Sequence, residues 1–454
     1  MATTVEKAAT EARRVIHDND VERLKQLLAE YPALLSWRGD DDDAGLLGFA
    51  TGAYGDAGDP ERERWFTRAA PAELLIDAGA VVVPSVCEGL LRSRARGLLQ
   101  LFQRKGLLPR TVKFFAALGD LDAVRTELDE NANELAIVNE AFVRACGFQH
   151  ETVASLLLDR SIALDPELGT RVDGSVGRPE FITYFVEKRP AHAIGVGLWK
   201  AFVMEQVKRA ILDRDLSTFV HVLQGEPWLL GEDFVWFQAE LTGTATLNGR
   251  GEFIAALLDL DPALLRQTPP PPSQAIEFAL TYANTHLIPV LTRIWPLPDD
   301  LPHAAGMGDL SRVKRWFDAD GKPALGDVAH HAPATSVHSR EPQCGDVGVQ
   351  EVLDTALAWA VINHHFDIAD FLLEHGADVN TNWNSHEPAS ILHHLVFEEN
   401  YDAMRFLIDR GIDMTIKDYR WNSTAVGWAR YGKNDEKMAE WLEDAERQRN
   451  RGAR

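Results

Sequence analysis

A period of 35 residues near the C-terminal end limits the folds open to this chain. Residues 354–380 read DTALAWAVINHHFDIADFLLEHGADVN, and residues 389–414 read ASILHHLVFEENYDAMRFLIDRGIDM. With Thr355 aligned on Ser390, Gly376 falls on Gly411, and both spacings are 35. A third copy, STAVGWARYGKNDEKMAEWLEDA, begins at Ser423, and Thr424 stands 34 residues after Ser390. Each copy follows one plan. A Thr or Ser opens a short helix as a cap, and small or apolar residues (Leu357, Ala360, Val361) recur at helical spacing. A polar turn leads to a second amphipathic helix carrying Ile368, Phe371 and Leu372. In the first two copies a Gly then suits a left-handed C-cap, and Asp378-Val379-Asn380 suits a tight turn. Two helices of about ten residues cannot bury their apolar faces alone, so neighbouring copies must stack into an array.

Weaker copies reach the other end of the chain. Residues 304–310 lead to Val313 and Trp316-Phe317, residues 115–121 lead to Val124, and residues 145–147 lead to Val153 and Leu156-Leu157-Leu158. Residues 18–21 lead to Leu27-Leu28, and residues 72–80 close the next unit. The faintest copies run through 210–223, 245–258 and 275–291. Residues 319–350 break the pattern with Gly, Pro, Ser and His and read as an insertion loop. Thr268-Pro269-Pro270-Pro271-Pro272-Ser273 reads as a stiff connection. The 422 residues left outside the insertion amount to about 12 to 13 repeats at a period of about 33. The organisation expected is degenerate repeats over 1–318, the insertion over 319–350, well-matched repeats over 351–445 and a polar tail over 446–454.

These units resemble ankyrin repeats. The family pattern has a Thr-Pro-Leu-His helix start, an Ala-Ala pair, a mid-repeat Gly, a double Leu and Gly-Ala-Asp-Val-Asn. Residues 372–380 (LLEHGADVN) are the closest match. Pro is replaced in all three helix starts, and among them His holds its family position only as His393. The resemblance implies an all-α ankyrin-repeat solenoid of about 12–13 helix-turn-helix repeats with one long insertion. It also implies a non-enzymatic binding module, of scaffold or inhibitor type, that presents a concave face to a protein partner.

Charge narrows the partners. Of 454 residues, 46 are Lys or Arg and 69 are Asp or Glu, a net charge of −23. Phosphates would be repelled over most of such a surface, which argues against nucleic acid and against an anionic membrane. Residues up to 230 carry about −8 and the remainder about −15, so a basic partner is expected on the C-terminal half. Three cysteines (Cys87, Cys146, Cys344) are too few for a disulfide framework. The opening MATTVEKAATEARR has no apolar stretch of a leader, and no run reaches about 18 uncharged apolar residues. A cytoplasmic protein is the expectation.

In an ankyrin stack, residues before the helix start and late in the first helix line the concave face. Carried over by the resemblance, these are Glu351, Val352, Ile362 and Asn363 in the first clear unit. The second contributes His386, Glu387, Phe397 and Glu398, with Trp383 just ahead; the last contributes Arg420, Trp421, Arg430 and Tyr431. Aromatics mixed with Arg, Glu and His have the composition of an interaction hot spot. They also suit a small-molecule or glycan cleft in which Glu398, Glu387 and His386 do acid–base work under the 319–350 segment as a lid. A purely structural role is the third reading, with Trp428 and Trp441 as core or cap.

Other features point to less. The pairs His330-His331, His364-His365 and His393-His394 are poor chelates, because adjacent helical residues point about 100° apart. His330, His331, His338 and Cys344 of the insertion would be the source of any metal site, but neither metal nor cofactor is expected. Residues 89–119 hold no acid but carry Arg92, Arg94, Arg96, Arg104, Lys105, Arg110 and Lys113, read as a solvated basic face, with phosphate or an acidic partner as the alternative. The run Asp40-Asp41-Asp42-Asp43 lacks the spacing of a calcium loop. Gly-x-Ser-x-Gly, His-Glu-x-x-His and Gly-rich phosphate loops are missing.

Overall fold

The computed structural model describes residues 4–38, 44–52, 68–130, 134–190, 192–261, 274–332, 348–383, 389–418 and 422–452. The protein is 72% helical, and the described residues form no strand or sheet, so the all-α expectation holds. The described residues form 27 α-helices, consistent with an all-α repeat fold. The chain divides into two compact units, Met1–Glu205 and Gln206–Arg454. No described helix is long and apolar enough to cross a membrane.

One local device recurs in both units. A first helix ends, a single residue turns the chain with positive φ, and the next residue caps a second helix. Gly119 (φ 75) and Gly308 (φ 76) stand at that turn. The carboxylates of Asp120 and Asp309 behind them accept from the N–H groups of Ala123 and Arg312, both at 3.0 Å. Asn19, Arg214, Glu399 and Asn434 hold the same place with positive φ, ahead of the caps Asp20, Asp215, Asn400 and Asp435. A cap contributes about 1 kcal/mol, which offsets much of the roughly 1–2 kcal/mol that a Cβ costs in the left-handed region. The following repeat stacks on the turn. His150 lies against Gly119 and donates from Nε2 to the Ala117 carbonyl at 3.1 Å, and His365 lies against Gly308. A Cβ would stand 2.7 Å from the His150 ring at Gly119 and 2.6 Å from the His365 ring at Gly308, so the close approach depends on glycine.

The clearest repeats match their expected plan with one correction. Ser390 and Thr424 cap their helices, Ile391–Glu398 and Ala425–Gly427, and Gly376 (φ 104) and Gly411 (φ 87) supply left-handed turns after the second helices. Thr355, expected as a cap, lies inside the helix Val349–Ile362 and donates to the Glu351 carbonyl at 2.8 Å. The helix extends backwards because Val352, Leu353 and Ala356 are buried along it, and Glu351 accepts from the Gly348 N–H at 3.1 Å to close its start.

The segment expected as an insertion loop is ordered where it begins. His331 is buried, accepts at Nδ1 from the Leu301 N–H at 3.1 Å, and donates from Nε2 to the Leu325 carbonyl at 3.0 Å. It thereby satisfies one of the unpaired N–H groups at the start of the helix Leu301–Gly306. Trp316 packs edge-on against the same ring at 4.5 Å. Residues 333–347, including His338 and Cys344, lie outside the described residues, as do Asp40 to Asp43 and the proline run.

The short helix Leu301–Gly306 lets its neighbours on either side meet across its end. A Cβ at Gly306 would lie 3.0 Å from Leu280 Cδ2 and 3.2 Å from Trp359 Cβ. Through that opening Trp359 Nε1 donates to Thr281 Oγ1 at 3.0 Å, and Asn363 Nδ2 donates to the Leu280 carbonyl at 2.7 Å. His394 Nε2 donates to the Thr281 carbonyl at 2.8 Å. These carbonyls end the helix Gln274–Thr281, where no intrahelical donor is available.

Two predictions follow from this packing. Gly306→Val should destabilise the protein by about 2–3 kcal/mol through overpacking between Leu280 and Trp359, read as a lower denaturant midpoint. Burial holds His150, His331, His365 and His393 below the ordinary histidine range. The unfolded chain takes up protons near pH 6.5 while these rings stay neutral in the fold, so stability is lost as pH falls through that value. The thermal midpoint should therefore be lower at about pH 6 than at about pH 7.5.

Candidate functional site

Of the residues expected on an interaction surface, three gather at the C-terminal end of the second unit. Phe397 lies in the last turn of the helix Ile391–Glu398 and is 47% exposed. Its ring packs edge-on against Trp428 at 5.1 Å, and a Cβ at Gly432 would come within 3.6 Å of its tip. Tyr431, 77% exposed, lies in the π-helical turn Trp428–Gly432. Lys433 ties the two elements, donating to the Phe397 carbonyl at 2.8 Å and pairing with Glu399 at 2.7 Å. Glu398 completes the group. Burial pushes its carboxyl above the ordinary range, and the Lys433 ammonium opposes that shift.

Arg430 is held by the carboxylates of Glu436 at 2.8 Å and Glu443 at 3.0 Å, and it keeps the Glu436 carboxyl below its usual range. Trp428 is buried and donates to Asp418 Oδ2 at 3.0 Å, the core role expected of it. The apolar base of the surface is therefore fixed by packing, while its edge is charged.

Four other expected residues are spent on packing. Trp383 and Ile362 are buried, as is Val352, so a partner does not reach them. Trp383 stands edge-on to His394 at 5.7 Å. Asn363 bonds the Leu280 and Trp359 carbonyls, so the late positions of this first helix face a neighbouring helix end. His386, Glu387, Arg420 and Trp421 lie outside the described residues.

For acid–base chemistry, the carboxyl next to Glu398 in sequence, Glu399, is paired with Lys433. Asp354 is also raised by desolvation, but it accepts from the Asp378 N–H at 2.9 Å and Gln350 Nε2 at 2.8 Å and so holds the turn after Gly376. The described part of the 319–350 segment packs on the helix start at Leu301 through His331, and Phe317 just before it packs on Phe371 and His375. Among the described residues no group of three His, Cys, Asp or Glu side chains could hold a metal ion. Burial raises the thiols of Cys87 and Cys146, which suits neither as a nucleophile.

The histidines instead fasten helix starts. His393 Nδ1 accepts from Ser390 Oγ at 2.7 Å and from its N–H at 3.2 Å, while Nε2 donates to the Ser423 carbonyl of the next repeat at 3.0 Å. Sequence reading missed a second case. His303 donates from Nδ1 to the Asp300 carboxylate at 2.8 Å, and the same carboxylate accepts from the His303 N–H at 2.9 Å. The signal was an Asp three residues before a His at the head of Ala304-Ala305-Gly306, with Asp standing where the two other starts have Ser or Thr.

Residues 337–418 match the model of the family described as ankyrin repeats (3 copies). The match takes in the helices from Val349–Ile362 to Tyr401–Asp409. No curated protein matches the chain.

Proposed function

Residues 337–418 are ankyrin repeats, which generally serve as protein–protein interaction modules, and we propose that the chain binds a basic protein partner through the surface around Phe397 and Tyr431. The observation that carries this reading is the exposure of two large aromatic side chains, 47% and 77%, on a base fixed by Trp428 and Lys433. Rigid aromatics supply contact area at little cost in conformational entropy, and such residues dominate binding energy. Glu398 and Glu399 border the aromatics, with Glu399 paired to Lys433.

His386, Glu387, Arg420 and Trp421 precede the same two helices in sequence and are proposed as further contacts. The charge of about −15 on the residues beyond 230 favours a basic partner, drawn in by long-range attraction. A scaffold or inhibitor is the role that fits a binding surface with a lone raised carboxyl. The buried free thiols Cys87 and Cys146 suit a reducing compartment such as the cytoplasm.

For a partner isolated on the full-length chain, Phe397→Ala with Tyr431→Ala should weaken binding by about 30-fold, the loss of roughly one hot spot. Raising salt from about 50 to about 200 mM should slow association. Circular dichroism melting of the double variant establishes that the fold is kept. Unchanged affinity and unchanged salt dependence would remove this surface from the binding site.

A further inference from the structure

The acid-free stretch expected as a solvated face does not behave as one surface. Lys105 is paired with Asp77 at 2.6 Å and Glu73 at 3.5 Å, and Lys113 with Glu88 at 2.7 Å and Glu140 at 3.4 Å. Arg92 and Arg94 instead line a pocket of about 390 Å³ within the first unit, together with Arg144 and Arg189. No acidic residue lines it among the described residues, and Phe185 and Ile194 give it apolar wall. From this pocket we infer a binding site for a small organic phosphate, a phosphomonoester with an apolar body.

Three helix ends deliver the guanidinium groups. Arg92 lies in the last turn of the helix Pro84–Ser93, and Arg94 follows as its C-cap. Arg144 lies in the last turn of Leu135–Gly147, and Arg189 caps the helix Arg178–Lys188. Basic residues at helix C-termini offset the partial negative charge of the end carbonyls, and Arg144 does so by donating to the Leu91 carbonyl at 3.3 Å. Arg94 and Arg189 carry their side chains from left-handed turns with φ of 56 and 51, the backbone that Asn19 and Arg214 also adopt after a helix. Gly147 lies beside the Arg94 stem, and a Cβ there would meet Arg94 Cδ at an ordinary contact distance of 3.4 Å.

The chemistry of the ligand follows from the lining. Guanidinium groups bind phosphate and carboxylate oxygens through paired N–H donors. Arg144 is partly neutralised by Glu140 at 3.2 Å, but its Nε is buried without a hydrogen-bond partner. A phosphomonoester carries close to two negative charges against one for a carboxylate, so it answers several arginines better. The volume is at the lower end of the range for small-ligand pockets, about 300–1,000 Å³, and the apolar wall would cover an organic body.

Calorimetric titration of the full chain with phenyl phosphate at physiological salt tests the assignment. Saturable binding at one site is expected, with inorganic phosphate and benzoate each weaker. Arg92→Ala and Arg189→Asn, the latter chosen to keep the left-handed turn, should each reduce affinity by about tenfold. Arg104→Ala, whose side chain is not in the lining, should leave it unchanged. Absence of saturation at millimolar ligand, or equal affinity in wild type and both pocket variants with melting curves intact, would overturn the site. Inorganic phosphate binding as tightly as phenyl phosphate would overturn the organic ligand.

Discussion

The carbonyl groups at the end of the helix Gln274–Thr281 are the points on which the C-terminal repeats converge. Asn363 reaches them from one repeat and His394 from the next, across 83 and 113 residues of chain, and Trp359 donates beside them to the Thr281 hydroxyl across 78. A helix end buried without donors would leave each carbonyl at a penalty of about 1–3 kcal/mol. The fold meets that demand with side chains from later repeats, and Gly306 makes it possible by offering no bulk between Leu280 and Trp359. His394 stands three residues before Phe397 on the same helix. The exposed aromatic surface is thus set on a helix anchored to a neighbour far away in sequence, and Asn400 adds a bond to the Ile362 carbonyl at 3.1 Å.

This convergence explains which site residues were legible in the sequence. Phe397, Glu398 and Tyr431 were carried over from the resemblance to the repeat family as late first-helix positions, and Phe397 and Tyr431 stay exposed there. Ile362 and Asn363 occupy the equivalent stretch of the preceding repeat, but there the short helix Leu301–Gly306 brings another helix end close enough to consume them. Helix length between repeats, which decides this, depends on where each chain segment stops, and periodicity reads such ends poorly. Trp383 was misplaced for a related reason: it precedes a loop, yet its ring packs against His394.

The fold was readable mainly through its period and its glycine turns. Gly376 and Gly411 end their helices as the sequence indicated. Elsewhere the mid-repeat turn is made by Asn19, Arg214, Glu399 or Asn434, residues that give no glycine signal, and a following Asp or Asn cap supplies the compensation. Such substitutions remove the glycine signal while the positive φ is kept, and the family match is confined to 337–418. Charge was legible only in bulk. The net −23 concealed a pocket lined by four arginines in the first unit.

The end of Gln274–Thr281 joins three repeats into one cooperative body that supports Phe397. Amide hydrogen exchange in wild type and Trp359→Phe tests this most directly, because the variant keeps an aromatic ring, though a smaller one, and removes the donor to Thr281. Protection should fall together in 274–281, 349–362 and 391–398. A loss confined to 349–362, with the other two helices exchanging as in wild type, would contradict it.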